Sequence, residues 1–301
     1  MFVRISVLAA VVALAGCTAA GQEHAPSLDA PSFAEWQQQC AGKDGRDAWL
    51  DPAPPYRVFG NTYDVGTCGI TALLVQTADG YVLVDSGMPE AAPLVAANIE
   101  RLGVPLSAVK WLISSHEHLD HVGATAELKR MTGAKVSALE VAKQPLETGL
   151  PYPEDPQAAS IPPFEGFAVD KVLADGEPLI VGGVSITPRS TPGHTPGSTS
   201  WTWQACEGEV CHAIAYADSV STPAADGYRF ADHPDYVARI RAGIANVAQL
   251  DCDILLTPHP GASNMAERLA GSAPLIDAEA CKNYSANALE QLDQLLSEET
   301  E

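Results

Sequence analysis

The chain has 301 residues, 46% apolar and 18% charged, with a formal net charge of −21, which is length and apolar content enough for one large catalytic domain with a full core. The acidic balance excludes the basic footprint that a nucleic-acid or anionic-membrane partner requires. An anionic substrate would have to be drawn in by a local positive feature, and a bound dication would supply one.

The N-terminus reads as an export signal. Arg4 precedes an apolar run over 5–15 that is too short to span a bilayer but suits a secretory signal, so residues 1–20 are expected to be a signal peptide and 21–301 a single domain. Leu14-Ala15-Gly16-Cys17 has the look of a bacterial lipobox, which would put a lipid on Cys17, whereas cleavage near Ala20 would leave a soluble protein. Both routes lead to the periplasm.

Strands and helices then alternate. Apolar runs over 69–77 and 80–84 flank the turn Ala78-Asp79-Gly80 and predict a hairpin ending at Asp85-Ser86-Gly87. Residues 89–102 have helical spacing, 109–113 form a strand, and 122–132 are helical, with Asp120 near the start. Residues 145–163 hold six prolines and no regular pattern, either a surface connection or a flap over a site. In the second half, 178–187, 198–205, 212–217 and 253–257 read as strands. Residues 234–250 read as a helix with Asp232 as a candidate cap, and the tail from Ala278 spaces Tyr284, Ala288, Leu289, Leu292, Leu295 and Leu296 along one helical face. An α/β arrangement of two mixed β-sheets with outer helices accommodates this order.

Beyond Cys17, six cysteines remain in a chain bound for an oxidising compartment, with no C-x-x-C pair among them, so disulfides are the default reading. Glu207-Gly208-Glu209-Val210 would join two strands with Cys206 and Cys211 facing each other at the hairpin mouth. Cys40 with Cys68 and Cys252 with Cys281 are proposed on sequence proximity.

The densest chemistry follows the strand at 109–113. His116-Glu117-His118-Leu119-Asp120-His121 has the form H-x-H-x-D-H, and imidazole and carboxylate are ligands that zinc prefers. His194, in Thr191-Pro192-Gly193-His194-Thr195-Pro196-Gly197-Ser198, and His259, in Pro258-His259-Pro260-Gly261, also stand just past strand ends. That shared placement makes both candidate ligands, while His24, His212 and His233 read as ordinary core or surface histidines.

Together with Ala217-Asp218-Ser219-Val220-Ser221, these segments resemble the metallo-β-lactamase superfamily, and within it the subclass B3 β-lactamases, from about residue 69 to about 263. The resemblance implies a four-layer αββα sandwich and two Zn2+ ions, one held by His116, His118 and His194 and the other by Asp120, His121 and His259. It implies hydrolysis of the β-lactam ring of penicillins, cephalosporins and carbapenems, conferring antibiotic resistance, by a metal-bound hydroxide that Asp120 orients. In other subclasses a cysteine serves the second zinc. Here Ser219 stands at the corresponding place, so Ser219 and Ser221 are free to hydrogen-bond the substrate carboxylate, unless each merely caps a turn. The expected partner is a small-molecule β-lactam, with no nucleic acid, with membrane contact only through a lipid on Cys17, and with the chain a monomer.

Alternation along an extended loop turns Glu117 away from the metals. Asp85, at its strand end, is expected to orient a ligand rather than bind metal. Asp218 separates two enzyme readings, because thioester and lactone hydrolases such as glyoxalase II use an aspartate at a comparable place to bridge both metals. A non-enzymatic zinc-binding protein would also present clustered histidines, without a substrate cleft.

Overall fold

The computed structural model describes residues 28–43 and 45–300; the expected signal peptide, Cys17 and His24 lie outside them. An N-terminal helix, α1 (Phe33–Cys40), precedes a seven-stranded sheet in spatial order β1 (Tyr56–Phe59), β2 (Thr62–Asp64), β3 (Leu73–Thr77), β4 (Gly80–Val84), β5 (Val109–Ile113), β6 (Lys135–Leu139) and β7 (Lys171–Leu173). Strands β1 to β4 pair antiparallel and β4 to β7 parallel. Between them run α2 (Ala92–Arg101), α3 (Leu119–Val122), α4 (Thr125–Thr132) and α5 (Glu140–Thr148).

The second sheet has five strands: β8 (Leu179–Val181), β9 (Val184–Ser190), β10 (Thr199–Glu207), β11 (Val210–Tyr216) and β12 (Ile254–Leu256). Its first four strands are antiparallel, and β11 pairs parallel with β12 across the helix α6 (Pro234–Val247). Helices α7 (Met265–Leu269) and α8 (Ala280–Thr300) complete the described chain.

Side-chain alternation along the strands makes the layers. On the inner faces Leu73, Val75, Val82, Val84 and Ile113 of the first sheet meet Trp201, Trp203, Ile214, Tyr216, Ile254 and Leu256 of the second. On the outer face of the first sheet, Leu74, Leu83 and Leu112 pack with Val95 and Ile99 of α2, Leu128 of α4 and Leu146 of α5. On the outer face of the second, Ala215, Ala217 and Leu255 pack with Val247, and α6 meets α8 through Ile240, Ile244, Ala288 and Leu292. The result is the expected αββα sandwich of two mixed sheets.

All three expected disulfides form, Cys40–Cys68, Cys206–Cys211 and Cys252–Cys281, and Cys206 and Cys211 are directly opposed in the β10–β11 register. Several elements differ from expectation. The single strand expected over 178–187 is a hairpin, β8 to β9, folded at Gly182-Gly183; Gly182 has φ +50 and its missing Cβ lets the backbone approach Asp79. The N-cap position of α6 is His233 rather than Asp232, because 230–232 form a separate 3-10 turn, and no side chain caps the helix there. Leu289 is 37% exposed, off the buried face of α8. Pro145, expected in an irregular stretch, lies inside α5. It cannot donate to the carbonyl of Val141, and the Tyr152 hydroxyl donates to that oxygen instead at 2.6 Å.

Candidate metal centre

The candidate ligands converge where strands of both sheets end. His116 and His118 leave the end of β5, and Asp120 and His121 sit in the single turn α3. His194 lies in the β9–β10 loop, and His259 follows β12. Hydrogen bonds within and between the sheets hold these loops together. The Trp201 indole donates to Ser114 O at 2.8 Å, Thr199 N donates to Ser115 O at 2.7 Å, and Ser86 N donates to His121 O at 2.8 Å.

Potential donor atoms of His116, His118 and His194 lie within 4.8 Å of one another, as do those of His116, Asp120 and His121. His121 Nε2 and His259 Nε2 are 3.2 Å apart, and Asp120 Oδ2 is 3.3 and 3.5 Å from them. All six expected residues therefore meet in one cluster, with His116 and His121 rings at 4.2 Å joining its two halves.

Each histidine spends one ring nitrogen on an oxygen outside the cluster, which fixes its ring and leaves the other nitrogen facing inward. His116 Nδ1 bonds Asp218 Oδ1 at 2.8 Å, and His118 Nε2 bonds Asp155 Oδ2 at 2.8 Å. His121 Nδ1 bonds Asp85 Oδ2 at 3.2 Å. The other two donate from Nδ1 to backbone carbonyls, His194 to Ser221 O at 3.0 Å and His259 to Gly69 O at 3.2 Å.

This tests whether the donors suit a metal. His116 Nε2 is buried with no hydrogen-bond partner among the described residues. With both Nδ1 atoms donating outward, neutral His121 and His259 would turn lone pairs toward each other beside a carboxylate, an arrangement that calls for a cation between them. The titration directions agree. Burial opposes a charge on His121, yet Asp120 and Asp85 lift it to about 10, so the cluster draws in positive charge. Burial also works against ionised Asp120, but His121 beside it holds its carboxyl below the usual range. Burial lowers His194 to about 3 and His259 to about 4, leaving both neutral as ligation requires. The set of imidazoles with one carboxylate fits a divalent ion of the zinc type.

The site opens to solvent on one side, where the His259 side chain is 32% and that of Asp120 13% exposed. Trp49 borders it, its ring 5.6 Å from that of His259.

Glu117 is turned away from the cluster, accepting hydrogen bonds from Gly197 N at 2.9 Å and Thr195 Oγ1 at 2.6 Å. Asp85 stands behind His121 and Asp218 behind His116. Ser221 is exposed at the rim with its hydroxyl 3.4 Å from His194 Nδ1, whereas Ser219 is buried. The residue that sequence reasoning missed is Asp155. It belongs to the proline-rich stretch, whose two readings were surface connection or flap, and it anchors that stretch to His118, while Ala225 N donates to Pro156 O at 2.9 Å.

Comparison with known proteins follows the same lines. The model of the metallo-β-lactamase superfamily matches residues 65–207. The crystal structure of the metallo-β-lactamase MIM-1 from Novosphingobium pentaromativorans is 51% identical with a TM-score of 0.87, over 89% of this chain and 98% of that one. MEM-A1, a subclass B3 metallo-β-lactamase from a soil metagenome library, is 41% identical with a TM-score of 0.78, over 84% of this chain and 98% of that one. A hydroxyacylglutathione hydrolase of Rhodopseudomonas palustris is 33% identical over 122 residues, 40% of this chain and 38% of that protein. The chain spans about half or less of the length of such curated relatives.

Proposed function

This chain belongs to the metallo-β-lactamase superfamily, and on that premise we propose that it is an exported β-lactamase of subclass B3. It hydrolyses the β-lactam ring amide of penicillins, cephalosporins and carbapenems and confers resistance to them. Two Zn2+ ions are its cofactors, one on His116, His118 and His194 and the other on Asp120, His121 and His259. When bound, the ions supply an activated water as nucleophile and Lewis acidity toward the lactam carbonyl and the leaving nitrogen.

The residues then divide the work. Asp120, whose Oδ2 faces both His121 and His259, orients the nucleophile as well as ligating. Ser221, at the rim beside His194, and Ser219 next to Asp218 hydrogen-bond the substrate carboxylate. Asp85, Asp155 and Asp218 hold three of the ligating rings in the tautomer that leaves the inward nitrogen free.

The observation that carries the reading over a thioester hydrolase is the 2.8 Å bond from Asp218 Oδ1 to His116 Nδ1. It ties Oδ1 of Asp218 to the outward nitrogen of a ligand ring, whereas an aspartate bridging two metals would have to turn its oxygens to the cluster; Oδ2 is buried without a hydrogen-bond partner among the described residues. Among the described residues no helix is long and apolar enough to cross a membrane. The same proposal has the protein as a periplasmic monomer, attached to a membrane only by a lipid on Cys17, and without a nucleic-acid partner.

The test is to mix purified protein with a penicillin, a carbapenem and an acylglutathione thioester, each with and without chelator. Chelator-sensitive loss of lactam absorbance is the expected result. Hydrolysis of the thioester alone would favour the hydroxyacylglutathione hydrolase reading, and tight zinc binding without turnover would favour a zinc-binding protein.

A further inference from the structure

Glu117 lies between two members of the three-histidine cluster, is 2% exposed, and belongs to neither of the groups that could hold a metal. Its carboxylate instead reaches the loop that carries His194. Oε1 accepts from Gly197 N at 2.9 Å and Oε2 from Thr195 Oγ1 at 2.6 Å. The loop is closed on itself around these two residues: Ser198 Oγ accepts from Thr195 N at 3.0 Å, and Thr191 N donates to Ser198 O at 2.9 Å. The fit leaves no room for a side chain at 197. A Cβ there would meet Glu117 Oε1 at 2.5 Å and Cδ at 2.8 Å, so the glycine is required by space rather than by backbone conformation.

We propose that Glu117 is a positioning residue that ties the His194 loop to the His116–His118 run and thereby sets the metal affinity of the three-histidine site. His116 and His118 come from the first sheet and His194 from a loop of the second. Their donor atoms must meet to within a few tenths of an ångström for one ion to accept all three. A buried carboxylate with two donors, one from the backbone and one from a side chain of the opposite loop, is a short and direct strut between those two segments. Alternation explains how it gets there: with His116 and His118 facing the cluster, the residue between them faces the other way.

The proposal rests on the reading of His116, His118 and His194 as one metal site. It is tested in the full chain carrying His259→Ala, where zinc titrated against a chromophoric chelator reports the three-histidine site, and Co2+ reports its geometry by its absorption bands. Glu117→Ala is expected to weaken zinc about 10- to 100-fold and to shift the Co2+ bands, as loss of an outer-shell partner does. Glu117→Gln is expected to stay within about threefold of its parent, because its carbonyl still accepts from Gly197 N and the Thr195 hydroxyl can turn to accept from its amide. Gly197→Ala is expected to weaken zinc in the parent but to add little to Glu117→Ala, since removing the carboxylate makes room for the methyl. Equal zinc affinity in Glu117→Ala and parent, or a Gly197→Ala effect undiminished in the Glu117→Ala background, overturns the proposal while leaving the metal site intact. Failure of the His259→Ala parent to bind zinc overturns the site reading itself.

Discussion

The carboxylate of Asp85 lies 3.2 Å from His121 Nδ1, and Asp85 has a positive φ of +60. A non-glycine residue in that region stores about 1–3 kcal/mol of strain and persists only where its surroundings demand it. Here they do: the same carboxylate accepts from Ser115 N, Ser115 Oγ and the Tyr216 hydroxyl, each at 2.7 Å, joining β4, β5 and β11 behind the cluster. Asp85→Asn tolerates the backbone but cannot accept on both sides. It is expected to lower stability by about 1–3 kcal/mol and to weaken zinc at the His121 site about tenfold or more. Denaturant melts and zinc titration measure the two effects, and an unchanged zinc affinity would show that Asp85 supports only the fold.

Asp120 and the three-histidine set are separable. Asp120 Oδ2 faces His121 and His259, while His116, His118 and His194 are held by their own outer partners. Asp120→Ala is expected to cut turnover about a hundredfold or more while the three-histidine site keeps its zinc. Metal analysis alongside kcat checks this, and near-normal turnover at full zinc loading would remove the orienting role.

Asp218→Asn distinguishes the two enzyme readings by metal stoichiometry rather than by rate. The amide oxygen can still accept from His116 Nδ1, so two ions per chain and an activity loss of no more than about tenfold are expected. If Asp218 bridged two metals, the same change would strip a ligand from both, and the stoichiometry would fall toward one.

What could be read in advance follows from where the information resides. The candidate cluster was legible because imidazoles and a carboxylate in H-x-H-x-D-H are a chemical pattern, and because His194 and His259 share its place past a strand end. Asp85 could be anticipated from its strand end. Asp155 could not, since the stretch around it has no period and its partner His118 is 37 residues away. Gly69 and Ser221 act on His259 and His194 through backbone carbonyls, which every residue has. In the fold, the long apolar strands announced themselves, whereas β1 and β2, of four and three residues, exist through their pairing, β2 with β3 and β1 with β2. The β8–β9 hairpin did have a signal, the Gly182-Gly183 pair inside an otherwise continuous apolar run.

Asp64 is 3% exposed; its Oδ1 accepts from Gly66 N at 2.8 Å and its Oδ2 from the Tyr56 hydroxyl at 3.0 Å. Burial pushes it up to about 7, only partly offset by those hydrogen bonds. An unfolded aspartate titrates near 3.9, so between about pH 4 and pH 7 the folded chain binds the extra proton. Its contribution to stability is therefore complete below about pH 4, is lost as pH rises toward 7, and changes no further above that, with a slope of at most about 1.4 kcal/mol per pH unit. Asp64→Asn carries no such proton, while its amide oxygen still accepts from Gly66 N and its NH2 can donate to the Tyr56 oxygen. Relative to the parent it should be less stable at pH 5 than at pH 8, and the difference between the two proteins, unlike either curve alone, cancels the pH dependence of zinc binding. Denaturant midpoints at pH 5, 6.5 and 8 in saturating zinc measure it; parallel curves would mean that Asp64 is ionised throughout, its burial offset by the hydrogen bonds from Gly66 N and the Tyr56 hydroxyl rather than by a proton.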